Sequence, residues 1–371
     1  MRSVRSPQLI GFPRESTPGD RRTLLTPVTA RALAAAGFEM LAEPGLGEGT
    51  GCPDSVLAGH GVRFAAAEEV WAAPLVLRYK NPDPSDLARL APGQAIAALF
   101  HAEGSPAMLA ALTRAKVTAY SYELLTENGR FPLGTAGGTI AGIQAVHVGA
   151  RALQHPAGRG VLLGGVPGAD PARVVVIGSG NVGSAAARTA AALDARVTVL
   201  TRTPAAAAEY RTRAPVGVTV EVNSRQRRAA WLPRADLVIG AILISTHDTP
   251  PMITETDLAR MPPGAVVVDA TCGYGPGYLP TAGPVQAPGD PPHITGGILH
   301  VKLDTLPALV PVTASRAYAA AAAPYLVRLA HHALAGRRDE AVGSAVIARD
   351  GALVHAVCER HAAFYRTGAT A

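Results

Sequence analysis

A glycine-rich turn offers the first recognisable chemistry in this sequence. It follows the apolar run Arg173–Ile177 directly and precedes a stretch of small residues. Six residues form it: Gly178, Ser179, Gly180, Asn181, Val182 and Gly183. In this position Gly178 would make the turn, Gly180 would let backbone N–H groups approach a pyrophosphate, and Gly183 would allow close packing of helix and strand. The spacing therefore predicts a dinucleotide-binding site, the alternative being a simple tight turn.

The end of the next apolar run bears on which dinucleotide is bound. An acidic residue that accepts hydrogen bonds from the ribose 2′-hydroxyl is typical there for NAD, but this chain has Thr201 and Arg202. A hydroxyl and a guanidinium suit a 2′-phosphate instead. The two residues favour NADP(H) over NAD(H) as the cofactor. The alternative is that Arg202 only solvates the strand end.

Two side chains that can carry a proton follow apolar runs in the first half of the chain. Lys80 follows Pro74–Tyr79 and is one of only three lysines, and His101 follows Ala95–Phe100. Because arginine fills most basic positions, a lysine at such a place favours a role that needs an amine. Open α/β sheets bind ligands at the carboxyl ends of their strands, so we predict an acid/base pair there. The alternative is a surface lysine and a capping histidine.

One arginine in the first half is a candidate for binding a carboxylate. Arg22 lies in the segment GDRRTLLTP, just before the start of a strand or helix. Its guanidinium can bind a substrate carboxylate through two hydrogen bonds. Position alone, however, favours an ordinary surface arginine.

The elements that must position these residues alternate between strands and helices. Leu9 to Gly134 and Arg173 to Thr271 each show short apolar runs between helical patterns, which predicts α/β domains with mostly parallel sheets. A helix predicted over Thr139–Leu153 would bridge the two domains. Pro276–Pro292 is rich in proline and glycine, so we expect an irregular loop over the site. Leu306–Leu334 is predicted to be largely helical and to return to the first domain.

Composition excludes several classes of protein. The chain has 371 residues and is 48% hydrophobic, enough for two domains. Its net charge is +6, and the charged residues are interspersed along the sequence, so we expect no nucleic-acid and no membrane partner. The isolated cysteines Cys52, Cys272 and Cys358 indicate neither a disulfide framework nor a zinc site, and no metal site is predicted. Prolines at positions 7 and 13 make a poor signal peptide, and we expect a cytoplasmic protein.

Several segments together resemble a known superfamily. They are FPRE, RRTLLTP, GFE, EPGLGEG, VLRYKNP, ALFH, GRGVLLGGVPGADPARVVVIGSGNVG and RADLVIGAIL. These residues are similar to the alanine dehydrogenase and transhydrogenase NAD-binding-subunit superfamily, which includes lysine-forming saccharopine dehydrogenases and N5-(carboxyethyl)ornithine synthase. The similarity spans roughly Leu9 to Leu334.

The resemblance implies a fold and roles for three residues. It implies two Rossmann-like doubly wound α/β domains with a cleft between them, the central one inserted into the first. Residues 1–138 plus 306–371 would form the substrate domain and residues 139–305 the NAD(P)-binding domain. Arg22 would bind the substrate carboxylate, Lys80 would bind substrate and His101 would be the catalytic histidine. We also expect a homo-oligomer.

Two departures from alanine dehydrogenases bear on the substrate. Those enzymes carry an aspartate four residues beyond the one that matches Asp269, and this chain has Gly273 there. They also carry a methionine, a serine and a glutamate where this chain has Gly137, Gly138 and Thr139. Both changes remove side-chain volume, and the first removes a carboxylate thought to assist ammonia chemistry. We therefore expect a substrate larger than alanine.

Two hypotheses of different classes follow. The first is an NAD(P)-dependent oxidoreductase that acts on the C–N bond of an amino acid, either by oxidative deamination and reductive amination or by imine reduction of the opine type. The second is a dinucleotide-binding module without its own chemistry, such as a transhydrogenase component or a regulator. Neither the amino acid nor the choice between ammonia and an amino-acid co-substrate follows from the sequence.

Overall fold

The computed structural model describes residues 8–17, 19–242, 251–271, 279, 283–303 and 305–366. The chain divides into two compact units. We call Met1–Gly137 with Val310–Thr370 the split unit, and Gly138–Leu309 the middle unit. The middle unit is therefore inserted into the sequence of the split unit, in agreement with the predicted fold class.

Each unit is built around a sheet. In chain order the strands of the described residues are β1 (Leu9–Phe12), β2 (Glu39–Ala42), β3 (Val62–Phe64), β4 (Leu75–Lys80), β5 (Ala95–Leu99), β6 (Thr118–Ser121), β7 (Arg173–Ile177), β8 (Arg196–Thr201), β9 (Thr219–Val222), β10 (Leu237–Gly240), β11 (Val266–Asp269), β12 (His293–Thr295), β13 (Ile298–Val301), β14 (Val346–Arg349) and β15 (Ala352–Leu353).

Helices fill most of the connections between these strands. In chain order they are α1 (Pro27–Ala35), α2 (Asp54–Ala58), α3 (Ala67–Trp71), α4 (Pro106–Ala115), α5 (Gly134–Ala152), α6 (Asn181–Ala192), α7 (Pro204–Arg211), α8 (Arg225–Trp231), α9 (Glu255–Leu258), α10 (Pro311–Ala335), α11 (Glu340–Gly343) and α12 (Ala356–Arg366).

The split unit contains an eight-stranded sheet of order β15-β14-β6-β5-β4-β1-β2-β3. Strands β1 to β6 pair in parallel, whereas β14 is antiparallel to both β6 and β15. Alternate residues of β4 and β5 face opposite sides: Leu75, Leu77 and Tyr79 enter one hydrophobic core, and Val76 and Ile96 enter the other. Both faces are therefore covered, as a parallel sheet requires.

The middle unit contains a seven-stranded sheet of order β12-β13-β11-β10-β7-β8-β9. All pairs are parallel except β12 with β13. The β-branched runs of β7, β10 and β11 are buried throughout apart from Arg173 because cores lie on both faces of the sheet. The chain reverses direction across the sheet between β7 and β10, which is the topological switch point where doubly wound sheets bind ligands.

Some elements differ from the sequence expectations. α5 begins at Gly134, five residues before the predicted start, and α10 continues through Pro324. Strands β9, β12, β13, β14 and β15 are not among the predicted elements, because they are short and carry exposed or polar residues. Residues 276–278 and 280–282 of the predicted irregular loop lie outside the described residues, and its described part, residues 279 and 283–292, contains no helix or strand.

Among the described residues, no helix combines the length and apolar character needed to cross a bilayer.

Candidate functional site

The ends of two neighbouring strands bring Lys80 and His101 to one edge of the split unit's sheet. Lys80 is the last residue of β4 and pairs in register with Leu99, the last residue of β5. His101 follows two residues later. Lys80 is only 7% exposed, so the surface-lysine alternative is wrong. The structure therefore places an amine and an imidazole at the carboxyl ends of two neighbouring parallel strands, where open α/β sheets bind ligands.

A buried glutamate fixes the backbone at Lys80. The backbone N–H groups of Tyr79 and Lys80 donate to the Glu15 carboxylate at 2.8 and 3.1 Å, and Arg78 Nη2 donates to it at 3.3 Å. Burial raises the pKa of Glu15, and the charge of Arg78 opposes that rise. Glu15 was not singled out from the sequence, although it ends the FPRE segment. It holds the end of β4 in place.

Arg22 is buried, which contradicts the expectation of a surface arginine that position alone favoured. It is 5% exposed and its guanidinium carbon lies 4.5 Å from the centre of the Tyr79 ring. Arg22 Nε donates to both carboxylate oxygens of Asp20, at 2.9 and 3.2 Å, and Nη2 donates to Oδ2. Asp20 thus holds one edge of the guanidinium. The guanidinium also interacts with the Tyr79 side chain, and a guanidinium fixed in this way suits a ligand carboxylate.

Asp20 is a second site residue that sequence reasoning did not single out. Burial opposes its ionisation, but the hydrogen bonds and charge of Arg22, with a smaller contribution from Lys80, lower its pKa. The same contacts raise the pKa of Arg22 against the effect of burial. Arg22 and Lys80 therefore lie close enough to share the influence of one carboxylate, and the structure groups all three in the split unit.

His101 adopts a backbone conformation that is uncommon for a residue with a side chain. Its φ and ψ are 44° and 40°, and it immediately precedes the 3₁₀ helix Ala102–Gly104 without capping it through the side chain. Its backbone N–H donates to Glu123 Oε1, and its Nδ1 lies 3.7 Å from the same oxygen. Left-handed non-glycine residues cluster at functional sites. The imidazole is 31% exposed, so it is accessible to a ligand.

The glycine-rich turn of the middle unit has room for a phosphate. It joins β7 to α6, whose first residue is Asn181 and whose N-cap is Gly180. A Cβ on Gly183 would collide with the carbonyl oxygen of Gly178, so close packing requires glycine there. A Cβ on Gly180 would meet no atom within 4 Å. This open cradle at the N-terminus of a twelve-residue helix fits a pyrophosphate.

The end of β8 presents an arginine rather than a hydroxyl. Thr201 is fully buried, and its hydroxyl lies 3.3 Å from the carbonyl oxygen of Thr203 and 3.2 Å from that of Glu221. Its side chain therefore shapes the strand end. Arg202 is exposed, and Thr203 caps α7 by accepting the N–H of Ala206 at 3.1 Å. Arg202 is thus the side chain there that can reach a ligand anion.

Gly137 and Gly138, which replace larger residues of the alanine dehydrogenases, have different surroundings. A Cβ on Gly138 would lie 3.0 Å from the Cβ of Asn181, so packing against the glycine-rich turn accounts for this glycine. A Cβ on Gly137 would meet nothing within 4 Å. Space for a side chain is therefore present at Gly137 alone. Gly273, the third glycine of the size argument, lies outside the described residues, as does Cys272.

Comparisons with known proteins agree with this architecture. The model of the alanine dehydrogenase/PNT N-terminal domain matches residues 11–135, and that of the C-terminal domain matches residues 145–356. Alanine dehydrogenase of Mycobacterium tuberculosis is 35% identical over 358 residues, covering 93% of this chain and 94% of that protein. Alanine dehydrogenase of Halomonas elongata is 33% identical over 325 residues, covering 86% and 87%.

Solved structures give the same result. An L-alanine dehydrogenase superimposes with a TM-score of 0.86 at 30% identity and covers 95% of this chain and 98% of its own. A transhydrogenase from Sinorhizobium meliloti shares the fold, with a TM-score of 0.76 at 24% identity over 94% and 99% of the two chains. The chain therefore belongs to the alanine dehydrogenase/PNT family and is an amino-acid oxidoreductase that uses a nicotinamide dinucleotide.

Proposed function

We propose that this enzyme interconverts an amino acid and its oxo acid at the C–N bond, with Arg22, Lys80 and His101 as the groups that act on the substrate. The observation that carries this proposal is their arrangement in the split unit: a buried amine ends β4, an accessible imidazole follows the neighbouring strand β5, and a buried guanidinium shares the Asp20 carboxylate with that amine. A carboxylate, a carbonyl oxygen and a transferable proton are the three features that these groups recognise. The relatives named alanine dehydrogenase support the same reaction class.

Each group has one part in the proposed mechanism. Arg22 binds the α-carboxylate through its guanidinium, one edge of which Asp20 holds. Lys80, whose backbone N–H donates to the Glu15 carboxylate, donates through its amine to the oxo or carbinolamine oxygen. His101 accepts the proton released in the oxidative direction and returns it in the reductive one. The bound nicotinamide supplies or accepts the hydride.

A steady-state panel tests this function. Amino acids are supplied with NADP or NAD, and oxo acids such as pyruvate and 2-oxoglutarate with NADPH or NADH, each with ammonia or with a second amino acid. The absorbance of the reduced nicotinamide is followed. Turnover with ammonia supports reductive amination, and turnover only with a second amino acid supports the opine-type reaction. No turnover in any mixture would favour the second hypothesis, a dinucleotide-binding module without its own chemistry.

We propose that the enzyme prefers NADPH, with Arg202 as the ligand of the 2′-phosphate. Support comes from the exposed guanidinium at the end of β8, next to the capped N-terminus of α7. Arg202→Asp should lose the preference, because a hydrogen bond to a charged group contributes about 1.5–3 kcal/mol, or roughly 10–100-fold in affinity. Titration of NADPH and NADH by fluorescence measures the change directly.

Arg234→Asp is the matched control for this substitution, since Arg234 is also an exposed arginine of the middle unit. It should leave the ratio of the two dissociation constants unchanged. A parent enzyme that binds NADH more tightly, or a ratio that Arg202→Asp does not alter, would contradict the assignment.

We propose, further, that the preferred amino acid is larger than alanine. The support in the structure is the open space at Gly137; Gly273 supports it from the sequence alone. Alanine would leave that space to water and forgo about 0.8 kcal/mol for every methylene a longer side chain buries. We expect a higher kcat/KM for a bulkier amino acid, tested among lysine, ornithine, arginine and the aromatic amino acids, than for alanine.

Gly137→Leu should reverse this order by filling the space. Turnover of the large substrate should fall about tenfold or more relative to alanine, the scale on which pocket contacts discriminate substrates. Gly134→Leu is the control, because Gly134 is an exposed residue at the start of the same helix. Alanine as the best substrate of the parent enzyme would refute the size argument.

A further inference from the structure

A second carboxyl group lies close to Glu123, and the proposed mechanism does not use it. Glu103 belongs to the 3₁₀ helix that follows His101, and Glu123 to the 3₁₀ helix Tyr122–Leu124 that follows β6. Oε2 of Glu103 and Oε2 of Glu123 are both buried, and neither has a hydrogen-bond partner among the described residues. Burying polar atoms in this way costs stability, so the pair calls for a functional explanation.

The surroundings of Glu103 oppose the ionisation of its carboxyl group. Burial raises the pKa of Glu103 to about 7, the charge of Glu123 contributes to that rise, and Lys80 opposes it. Both the neutral and the ionised form of Glu103 are therefore populated near neutral pH, while Glu123 keeps its contacts with His101.

Other titratable groups face the pair from the surrounding elements. Burial raises the pKa of the tyrosines and the cysteine among them and lowers that of the histidine, so these groups are neutral near pH 7. They are Tyr122, Tyr318 of α10, His355, and Cys358 and Tyr365 of α12. The charged neighbours are Lys80 and the exposed Glu359.

We propose that Glu103 is a positioning residue for proton transfer, whose carboxyl group acts through Glu123 to set how strongly His101 holds its proton. This inference rests on the proposed function, in which His101 moves the proton. A neutral Glu103 can donate its hydroxyl to Glu123 and hold that carboxylate against the imidazole. An ionised Glu103 adds a second negative charge that stabilises the imidazolium.

Glu103→Gln tests the inference because it keeps the shape and removes the charge. Diethyl pyrocarbonate reacts with neutral imidazole, so the rate of His101 modification against pH, read by mass spectrometry of the peptide, gives the midpoint pH of its titration without turnover. We expect this midpoint to fall by about one unit, because removing a negative charge near the Glu123–His101 contact makes the imidazolium less stable. The limb of the pH profile of kcat/KM that depends on His101 should move by the same amount.

Two further variants keep the test decisive. Glu103→Met removes the same charge without burying a polar group, and it replaces the glutamine variant if that protein is unstable. Glu69→Gln, at an exposed position on α3, should leave both midpoints unchanged. Activity lowered equally at every pH with an unmoved modification midpoint would overturn the proposal. If the modification midpoint moves in Glu103→Gln but turnover proves not to require His101, the coupling between Glu103 and His101 is supported and the proposed role of His101 in proton transfer is overturned.

Discussion

Replacing His101 by alanine should lower kcat about 10²–10⁴-fold, because a positioned acid/base group contributes that much to proton transfer. The affinity for the reduced nicotinamide dinucleotide should stay the same, since the glycine-rich turn lies in the middle unit. KM for the amino acid should change little, because Arg22 and Lys80 remain. Steady-state kinetics in both directions and a fluorescence titration of the dinucleotide provide the three measurements.

His147→Ala is the control for that experiment, since His147 is an exposed histidine on α5. It should retain the kcat of the parent enzyme. If His101→Ala also turns over at the parent rate, proton transfer belongs to another group and the assignment of His101 fails. If both variants lose activity together with their folded structure, judged by thermal unfolding, His101→Gln replaces the alanine variant and the same kcat loss is required of it.

Replacing Arg22 by methionine should lower kcat/KM for the amino acid about 10–100-fold. In the proposed mechanism the substitution removes a charge-assisted hydrogen bond to the α-carboxylate. Such a bond contributes about 1.5–3 kcal/mol, and about 1.4 kcal/mol corresponds to a factor of ten. Because Arg22 bonds Asp20, the single substitution also leaves a buried carboxylate without its cation, which costs about 3–5 kcal/mol of stability.

The double variant Arg22→Met with Asp20→Asn separates these two effects. It removes the stranded charge, so the melting temperature should recover while kcat/KM stays low. Arg21→Met is the control at the neighbouring, exposed arginine and should behave like the parent enzyme. Recovery of kcat/KM along with stability in the double variant would show that Arg22 supports the fold and does not bind substrate.

The sequence predicted the parts of the fold whose signals are local. The apolar runs of β7, β8, β10 and β11 and the glycine-rich turn between β7 and α6 each stand out within a few residues. Strand β9, Thr219–Val222, does not, because it is short and only Val220 in it is buried. Strand β14 carries an apolar run, but its pairing with β6 depends on residues more than two hundred positions away, which no local pattern reports.

The candidate site shows the same limit. Lys80 and His101 could be chosen because each follows an apolar run, and Arg22 because of the resemblance. The carboxylates that orient them, Glu15, Asp20 and Glu123, could not. Acidic residues at such positions are ordinarily solvated, and only the fold shows that these contact the ends of β4 and β5 and the guanidinium of Arg22.

The position of β14 also has a consequence for synthesis of the chain. The ribosome makes β1 to β6, then the whole middle unit, and only afterwards the strand that covers the open edge of β6. Until then that edge presents unpaired N–H and C=O groups, which favour pairing with other chains. Contacts between such distant residues also slow folding. The middle unit, whose residues are contiguous, can complete its sheet first, so a nascent chain would pass through a stage in which only the inserted unit is folded.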